Sequence, residues 1–281
     1  MSMKCVTEFA YGKINLYLDV LGRREDGYHD IQSVMQTVSL HDTLTVIEAE
    51  DITMTCSDPT LTCGEDNLCL KAARAFFAAY GTGGCRIDLD KTLPREAGMG
   101  GGSADGAAVL RALNRLHGQP FSAESLCAIG AKIGADVPFC VLGRGASLAE
   151  GIGERLSPFP SLPACHLVIV GGATKVSTPM AYRLLDTLSP TKRGDFDAFA
   201  AAMKRGDLAA IGKTLYNRFE DAVPESRPAI ALLLKNGAYG ARMTGSGAAV
   251  FGLFSEKTKA DEACLALRSA SYTAVPASPL L

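Results

Sequence analysis

The sequence predicts an α+β protein built in two domains, and three observations carry that prediction. Alternating apolar and polar residues mark strands at residues 14–20, 43–48 and 52–56. Helical spacing follows further along: Val109, Leu110, Leu113 and Leu116 share one face, and Leu126, Ile129 and Ile133 share another. Pro158, Pro160 and Pro163 then interrupt the chain, which at 281 residues is long enough for two ordinary domains. The expected division is 1–157 and 158–281, with the boundary inside 157–164.

Composition narrows the function classes. Apolar residues make up 47% of the chain, which is ample for a sizeable core. A net charge of −2 without a basic run argues against a nucleic-acid partner. There is neither an apolar run of about 18 residues nor a charged-then-apolar leader, so a soluble, cytoplasmic chain is expected. The nine cysteines are odd in number, none form Cys-x-x-Cys, and several fall on apolar faces. They read as reduced core thiols, not as a disulfide frame or a zinc site.

In chain order, the first strand sets Ile14, Leu16, Leu18 and Val20 on one face and Asn15, Tyr17 and Asp19 on the other. Lys13 is in step with Asn15, so both polar heads are expected to leave the same face. A polar turn, Gly22 to His29, is closed by Asp26-Gly27. Strands over 31–38, 43–48 and 52–56 come next, with His41 read as a surface residue between two of them. Asn67 caps a helix with Leu68, Ala72, Ala75, Phe76 and Ala79 on one face, and Gly81 stops it. A strand with Cys85, Ile87 and Leu89 inward leads towards Lys91 and Pro94.

The sequence then runs Gly98-Met99-Gly100-Gly101-Gly102-Ser103-Ala104-Asp105, with four glycines in five positions. Each glycine costs backbone entropy and packs nothing, so the cluster needs another reason. A glycine-rich turn feeding a helix start aims bare N–H groups at one point, backed by the positive end of the helix dipole. That is a phosphate cradle, although a flexible turn is the bland alternative. The spacing fits neither a Walker loop, since no lysine follows the glycines, nor a dinucleotide fingerprint, whose third glycine is replaced by Ser103.

Ser122 caps the next helix, which Gly134 ends, and Asp136 then lies before an apolar stretch read as a strand, with Pro138 inside it. Taken alone, Asp136 is a capping aspartate as readily as a functional one. Beyond the proline cluster, 166–170 reads as a buried strand. Thr178 caps a helix that has Pro179 in its first turn. Weak amphipathic helices are expected across 195–217 and 225–236, the second ended by Gly237. A second glycine pair, Gly245-Ser246-Gly247, precedes an apolar strand and could be a plain hairpin turn.

The run from Pro94 through Asp105 resembles the second motif of the galactokinase, homoserine, mevalonate and phosphomevalonate (GHMP) kinase superfamily. The run from Arg242 to Phe251 resembles its third motif. Lys13-Ile14-Asn15-Leu16, followed by Arg24-x-Asp26-Gly27-Tyr28-His29, is similar to one branch, the kinases of 4-diphosphocytidyl-2-C-methyl-D-erythritol in non-mevalonate isoprenoid precursor synthesis. Gly134-Ala135-Asp136-Val137-Pro138 and the segment from Ala149 to Glu154 also match that branch. The likeness runs from Lys13 to the carboxyl end and is weakest between 183 and 238.

The resemblance implies a ribosomal-protein-like amino-terminal domain, a ferredoxin-like carboxy-terminal domain and an active site in the cleft. ATP is implied as phosphoryl donor, held by Asn67, Lys91, Pro94, Gly98, Met99, Gly100, Gly101, Gly102, Ser103, Ala104, Gly245, Ser246 and Gly247. A cytidine-diphosphate-linked small molecule is implied as acceptor, met by Asn15, Tyr28, His29, Asp136, Thr178 and Tyr182. Asp136 is implied as the base, with Lys13 orienting it and stabilising developing charge. Mg²⁺ is expected with ATP; no carboxylate ligand stands out, which leaves phosphates and water, with Ser103 a candidate. No nucleic acid or membrane partner is expected, and monomer and homodimer stay open.

Three other readings compete. A sister kinase acting on homoserine, mevalonate or a sugar would not need Tyr28, His29 and Tyr182. A nucleotide sensor on the same fold would need neither Lys13 nor Asp136. An RNA-binding module would need the basic stripe that is missing.

Overall fold

The computed structural model describes residues 4–94, 97–172, 177–189 and 193–281. Backbone contacts divide the chain into two compact units. The first comprises residues up to Gly12, Leu40–Leu93 and Gly100–Gly143; the second comprises Lys13–Ser39, Pro94–Met99 and Arg144–Leu281. The chain therefore passes from one to the other within its first two strands and again between Met99 and Gly100. Residues 157–164 lie within the second unit.

Two long strands open the chain, β1 (Cys5–Arg23) and β2 (His29–Ala49). Both differ from the sequence expectation. β1 is buried on both faces from Gly12 to Asp19, so Lys13 and Asn15 are inside at 4% exposure instead of on a wet face. β2 is continuous where two strands were expected, and His41 lies within it, packed edge-on against Phe9 and Tyr11. A strand of this length binds different partners along its course, so its polar residues do not mark breaks.

In the first unit, β3 (Thr53–Cys56) runs parallel to β4 (Gly84–Asp90), which pairs antiparallel with the second half of β2. Cys85, Ile87 and Leu89 point inward as their alternation requires. Helix α1 (Leu68–Tyr80) begins at the Asn67 cap, whose Oδ1 accepts the Cys69 N–H at 2.9 Å. Its buried stripe is Cys69, Leu70, Ala72, Ala73, Phe76 and Phe77, rotated from the predicted face so that Ala79 is exposed. It packs on α2 (Gly101–Leu116), whose small early residues Ala104, Gly106, Ala107 and Ala108 admit close contact. A Cβ on Gly106 would stand 3.2 Å from the Leu68 carbonyl.

Helix α3 (Ala123–Ala131) is capped by Ser122 as expected, but it ends before Ile133, which is only half-buried. Residues 137–142 correct a strand expectation: they form helix α4 (Val137–Leu142), begun at Asp136 and closed by Gly143 in the left-handed region. A short apolar run has no period to separate the two states. Pro138 in the first turn loses no helical hydrogen bond, and Gly143 gives the terminating conformation at no steric cost.

In the second unit, β1 runs parallel to β8 (Tyr216–Asn217), while the first half of β2 pairs antiparallel with β5 (Ala146–Gly151), and β5 with β6 (Arg155–Phe159). The remaining strands are β7 (His166–Val170), β9 (Gly240–Met243), β10 (Val250–Phe254) and β11 (Ala274–Ala277). They form an antiparallel sheet in the order β11-β7-β10-β9, covered by α8 (Arg227–Lys235) and α9 (Lys257–Ser269). This is the ferredoxin-like βαββαβ arrangement. Leu233, Phe254, Ala263 and Leu267 centre its core.

Helix α5 (Thr178–Asp186) starts one residue earlier than predicted: Ser177 is the cap position, and Thr178 is the first helical residue. Ala181 and Leu185 of α5 join Leu18, Ile31, Phe219 and Met243 in a separate apolar cluster. The helix expected over 195–217 is broken at Gly206 into α6 (Phe196–Arg205) and α7 (Leu208–Thr214) because Gly206 turns left-handed and Asp207 caps anew. No helix of the described residues is long and apolar enough to cross a membrane. All nine cysteines are free thiols.

Gln36 closes the second unit. It is fully buried; Nε2 donates to the carbonyls of Thr37, Gly145 and Leu280, and Oε1 accepts the Leu162 N–H at 3.0 Å. Gln36→Leu keeps the volume and orphans these groups. It should cost about 2–4 kcal/mol in urea unfolding.

Candidate active site

In the second unit, one side-chain amide gathers three of the sequence motifs. Asn15 Oδ1 accepts from Lys13 Nζ at 2.7 Å, from Gly245 N at 3.0 Å and from the Thr244 hydroxyl at 3.3 Å. Its Nδ2 donates to Ser33 Oγ at 2.8 Å, and its backbone N–H donates to Thr244 Oγ1 at 2.9 Å. Thr244 also donates to the Gly98 carbonyl at 3.3 Å, and the Lys13 N–H reaches the Met99 carbonyl at 2.9 Å. The ammonium of Lys13 is thus buried and aimed by Asn15 beside both glycine loops. Asn15, expected as a substrate contact, has its side-chain amide bonded to Lys13, Ser33, Thr244 and Gly245.

The two loops touch through their glycines. Gly98 and Gly245 both adopt positive φ, +75° and +61°. A Cβ on Gly98 would land on the Thr244 carbonyl, and one on Gly245 would lie 2.6 Å from the Gly98 Cα. These positions therefore need glycine twice over, for conformation and for space. Asn217 holds the third motif from behind: its Nδ2 donates to the carbonyls of Met243 at 2.7 Å and Gly245 at 3.0 Å. Thr178 and Ser246 pair through their hydroxyls at 2.9 Å.

Three residues expected to meet the base, Tyr28, His29 and Tyr182, also lie in this unit. His29 is buried and stacks on Tyr182, with centroids 4.6 Å apart and planes 20° from parallel. Tyr28 beside it is 60% exposed.

In the first unit the glycine run becomes a helix start. Gly100, left-handed at φ +69°, is the cap position of α2, so the helix begins at Gly101 within the motif. The first N–H groups of α2 are left without helical partners, as an anion site requires. Gly102 is exposed, and Ser103 is half-buried in the first turn. A Cβ on Gly134 would lie 3.9 Å from Ser103 Oγ, so Ser103 stands near the turn that carries Asp136. Asp136 is half-buried at the start of α4 and makes no side-chain cap to that helix.

Lys91 has a different setting from the strand-end charge that the sequence suggested. It is buried, and its Nζ donates to Asp42 Oδ2 at 2.5 Å and Asp105 Oδ2 at 2.8 Å. Asp42 Oδ1 also accepts the N–H groups of Thr92 and Leu93 at 2.5 and 2.7 Å, pinning the approach to Pro94. Burial pushes the Asp105 carboxyl up to about 7, with Asp42 adding to the effect and Lys91 opposing it. Burial alone would lower Lys91, but the two carboxylates outweigh it and hold its pKa up.

Sequence reasoning missed Asp42, Asp105, Thr244 and Asn217. Asp105 and Thr244 adjoin the glycines of their motifs, which was the available signal. Nothing local marks Asp42 or Asn217, whose partners are distant in sequence.

A ferredoxin-like sheet, a glycine-rich helix start and a second glycine loop packed on the first define a GHMP kinase. The family models agree: GHMP kinases N terminal domain matches residues 67–144, and GHMP kinases C terminal matches 193–273. The chain is 39% identical over 274 residues to the 4-diphosphocytidyl-2-C-methyl-D-erythritol kinase of Desulfitobacterium hafniense, covering 95% of this chain and 93% of that one. It is 41% identical to the kinase of the same name from Caldicellulosiruptor saccharolyticus, covering 88% of each. A crystal structure of 4-(cytidine 5'-diphospho)-2C-methyl-D-erythritol kinase superposes with a TM-score of 0.82 at 35% identity, covering 98% of this chain and 100% of that one. The homoserine kinase from Cytophaga hutchinsonii shares the fold, with a TM-score of 0.77 at 18% identity, covering 100% of this chain and 96% of that one. The chain belongs to the 4-diphosphocytidyl-2-C-methyl-D-erythritol kinase family.

Two outcomes test this geometry. Gly98→Ala and Gly245→Ala should each lose more than about 1 kcal/mol of stability in urea, because the native conformation strains a Cβ. Gly22→Ala, whose Cβ would meet nothing within 4 Å, is the control and should change little. Asp105 holds its proton well above its ordinary value, so the folded state binds more protons than the unfolded one between about pH 4 and 7. Its contribution is thus present in acid and lost as pH rises through about 7. The stability of wild type relative to Asp105→Asn should fall across that window, by up to about 1.4 kcal/mol per pH unit. Urea midpoints at several pH values would read this out.

Proposed function

We propose that the protein transfers the γ-phosphoryl group of ATP to the 2-hydroxyl of 4-diphosphocytidyl-2-C-methyl-D-erythritol, a step in non-mevalonate isoprenoid precursor synthesis. GHMP kinases take ATP as donor, and the close relatives carry the name of this acceptor. The observation that carries the cytidine reading is the buried His29–Tyr182 stack beside exposed Tyr28, an aromatic platform suited to a pyrimidine.

Phosphoryl transfer asks a protein mainly for positioning and charge stabilisation. Backbone N–H groups from Gly98 through Ser103 and from Ser246 and Gly247 would hold the phosphates, with Gly245, whose N–H is taken by Asn15, shaping the second loop. Asn67, Lys91, Pro94, Met99 and Ala104 frame the nucleotide, with Lys91 acting through the carboxylates that fix it. Asp136 accepts the proton of the attacking hydroxyl, and Lys13, aimed by Asn15, stabilises charge developing on the transferred group. Tyr28, His29, Thr178 and Tyr182 orient the cytidine-linked acceptor, and Asn15 acts through Lys13. A cytoplasmic setting fits this soluble substrate pair.

Mg²⁺ would enter as an ion carried by ATP, held by phosphate and water oxygens, with the Ser103 hydroxyl a candidate protein ligand. Bound there, it would neutralise phosphate charge.

The purified protein with Mg-ATP should release ADP with diphosphocytidyl-methylerythritol and not with homoserine, mevalonate or galactose, each supplied alone. Turnover of another acceptor would keep the kinase and discard the cytidine reading. Asp136→Asn should lose roughly 10²-fold or more in kcat while keeping near-normal ATP affinity. Near-normal turnover would remove Asp136 from the role of base.

A further inference from the structure

Helix α5 grips His29 with two residues one turn apart. Tyr182 covers the ring face, and Asp186, four residues on, brings its Oδ1 to 2.7 Å from His29 Nε2. The helix therefore fixes both the plane of the imidazole and its rotation within that plane. Asp186 is itself steadied: its Oδ2 lies 3.7 Å from Arg23 Nη1, and Ala181 and Leu185 anchor α5 in the apolar cluster. The His29 side chain is only 8% exposed, so water is poorly placed to replace the carboxylate.

An ionised carboxylate offers lone pairs and no proton, so Nε2 must be the protonated nitrogen. In the neutral ring this leaves Nδ1 as an acceptor, fixed by the hydrogen bond at the opposite nitrogen. Cytosine carries an exocyclic amino group, N4–H₂, on its pairing edge. Uracil carries a carbonyl oxygen at the same place. An imidazole acceptor bonds the first and opposes the second, and a site built for a donor rejects its isostere because a buried polar group is left unpaired.

We propose that Asp186 is a positioning residue that sets the tautomer of His29 and thereby selects cytosine over uracil. The selection rests on the cytidine reading above. Asp186 touches neither the reacting atoms nor the base; it acts through the ring that it holds.

The test reads tautomer and selectivity separately. The chain has four histidines, so long-range ¹H–¹⁵N spectra at pH 8, with His29→Gln for assignment, resolve His29. Wild type should show a protonated Nε2 and a bare Nδ1. Asp186→Ala should lose that fixed pattern, while Asp186→Asn, whose amide oxygen still accepts, should keep it. By calorimetry wild type should bind cytidine diphosphate at least about tenfold more tightly than uridine diphosphate, in line with one hydrogen bond. Asp186→Ala should bring that ratio close to one, and Asp186→Asn should retain most of it. A proton on Nδ1 in wild type overturns the proposal, as does full selectivity in Asp186→Ala. If wild type binds the two diphosphates equally, or neither, the cytidine reading itself falls and the selection falls with it.

Discussion

The amide of Asn15 is the joint on which the second unit's chemistry depends. Its oxygen is shared by a lysine ammonium, a backbone N–H and a threonine hydroxyl, and its nitrogen is tied to Ser33. A buried ammonium is costly unless its charge meets a polar partner, and a carboxamide oxygen meets it without cancelling it. The oxygen that aims Lys13 also fixes the loop that begins at Gly245.

In the first unit, Lys91 is held by two carboxylates, Asp42 and Asp105. What is gained is mechanical: Asp42 fixes Thr92 and Leu93, Asp105 fixes the first turn of α2, and Lys91 bridges them. Removing one member of such a group leaves another charge uncompensated, so the three stand or fall together.

Much of the fold and part of the site were legible in the sequence. Cys85, Ile87 and Leu89 were placed by alternation, and Asn67 and Ser122 by capping chemistry. These features are local, and local rules found them. The misreadings share one cause, which is tertiary context. β1 carries Lys13, Asn15 and Asp19, which alternation assigns to solvent, yet all three are buried, and Asn15 finds its partners in distant Ser33, Thr244 and Gly245. Residues 137–142 are too few to show a period, and the flanking glycines that permit a tight helix do not announce it. The glycine clusters stood out in the sequence, but their packing against each other did not. Asp42 and Asn217 were invisible for the same reason, since each binds groups tens of residues away.

The contact between Gly98 and Gly245 joins positions 146 residues apart in its Thr244–Gly98 hydrogen bond. Synthesis proceeds from the amino end, so the loop containing Gly98 leaves the ribosome long before the strand pair that supports it exists. The nascent chain then has the glycines of the first loop without the backbone that shapes them. Long-range closures of this kind come late in folding because the entropy of the intervening chain must be lost first. The paired loops are therefore completed at the end of folding, and an incomplete chain lacks one wall of that contact.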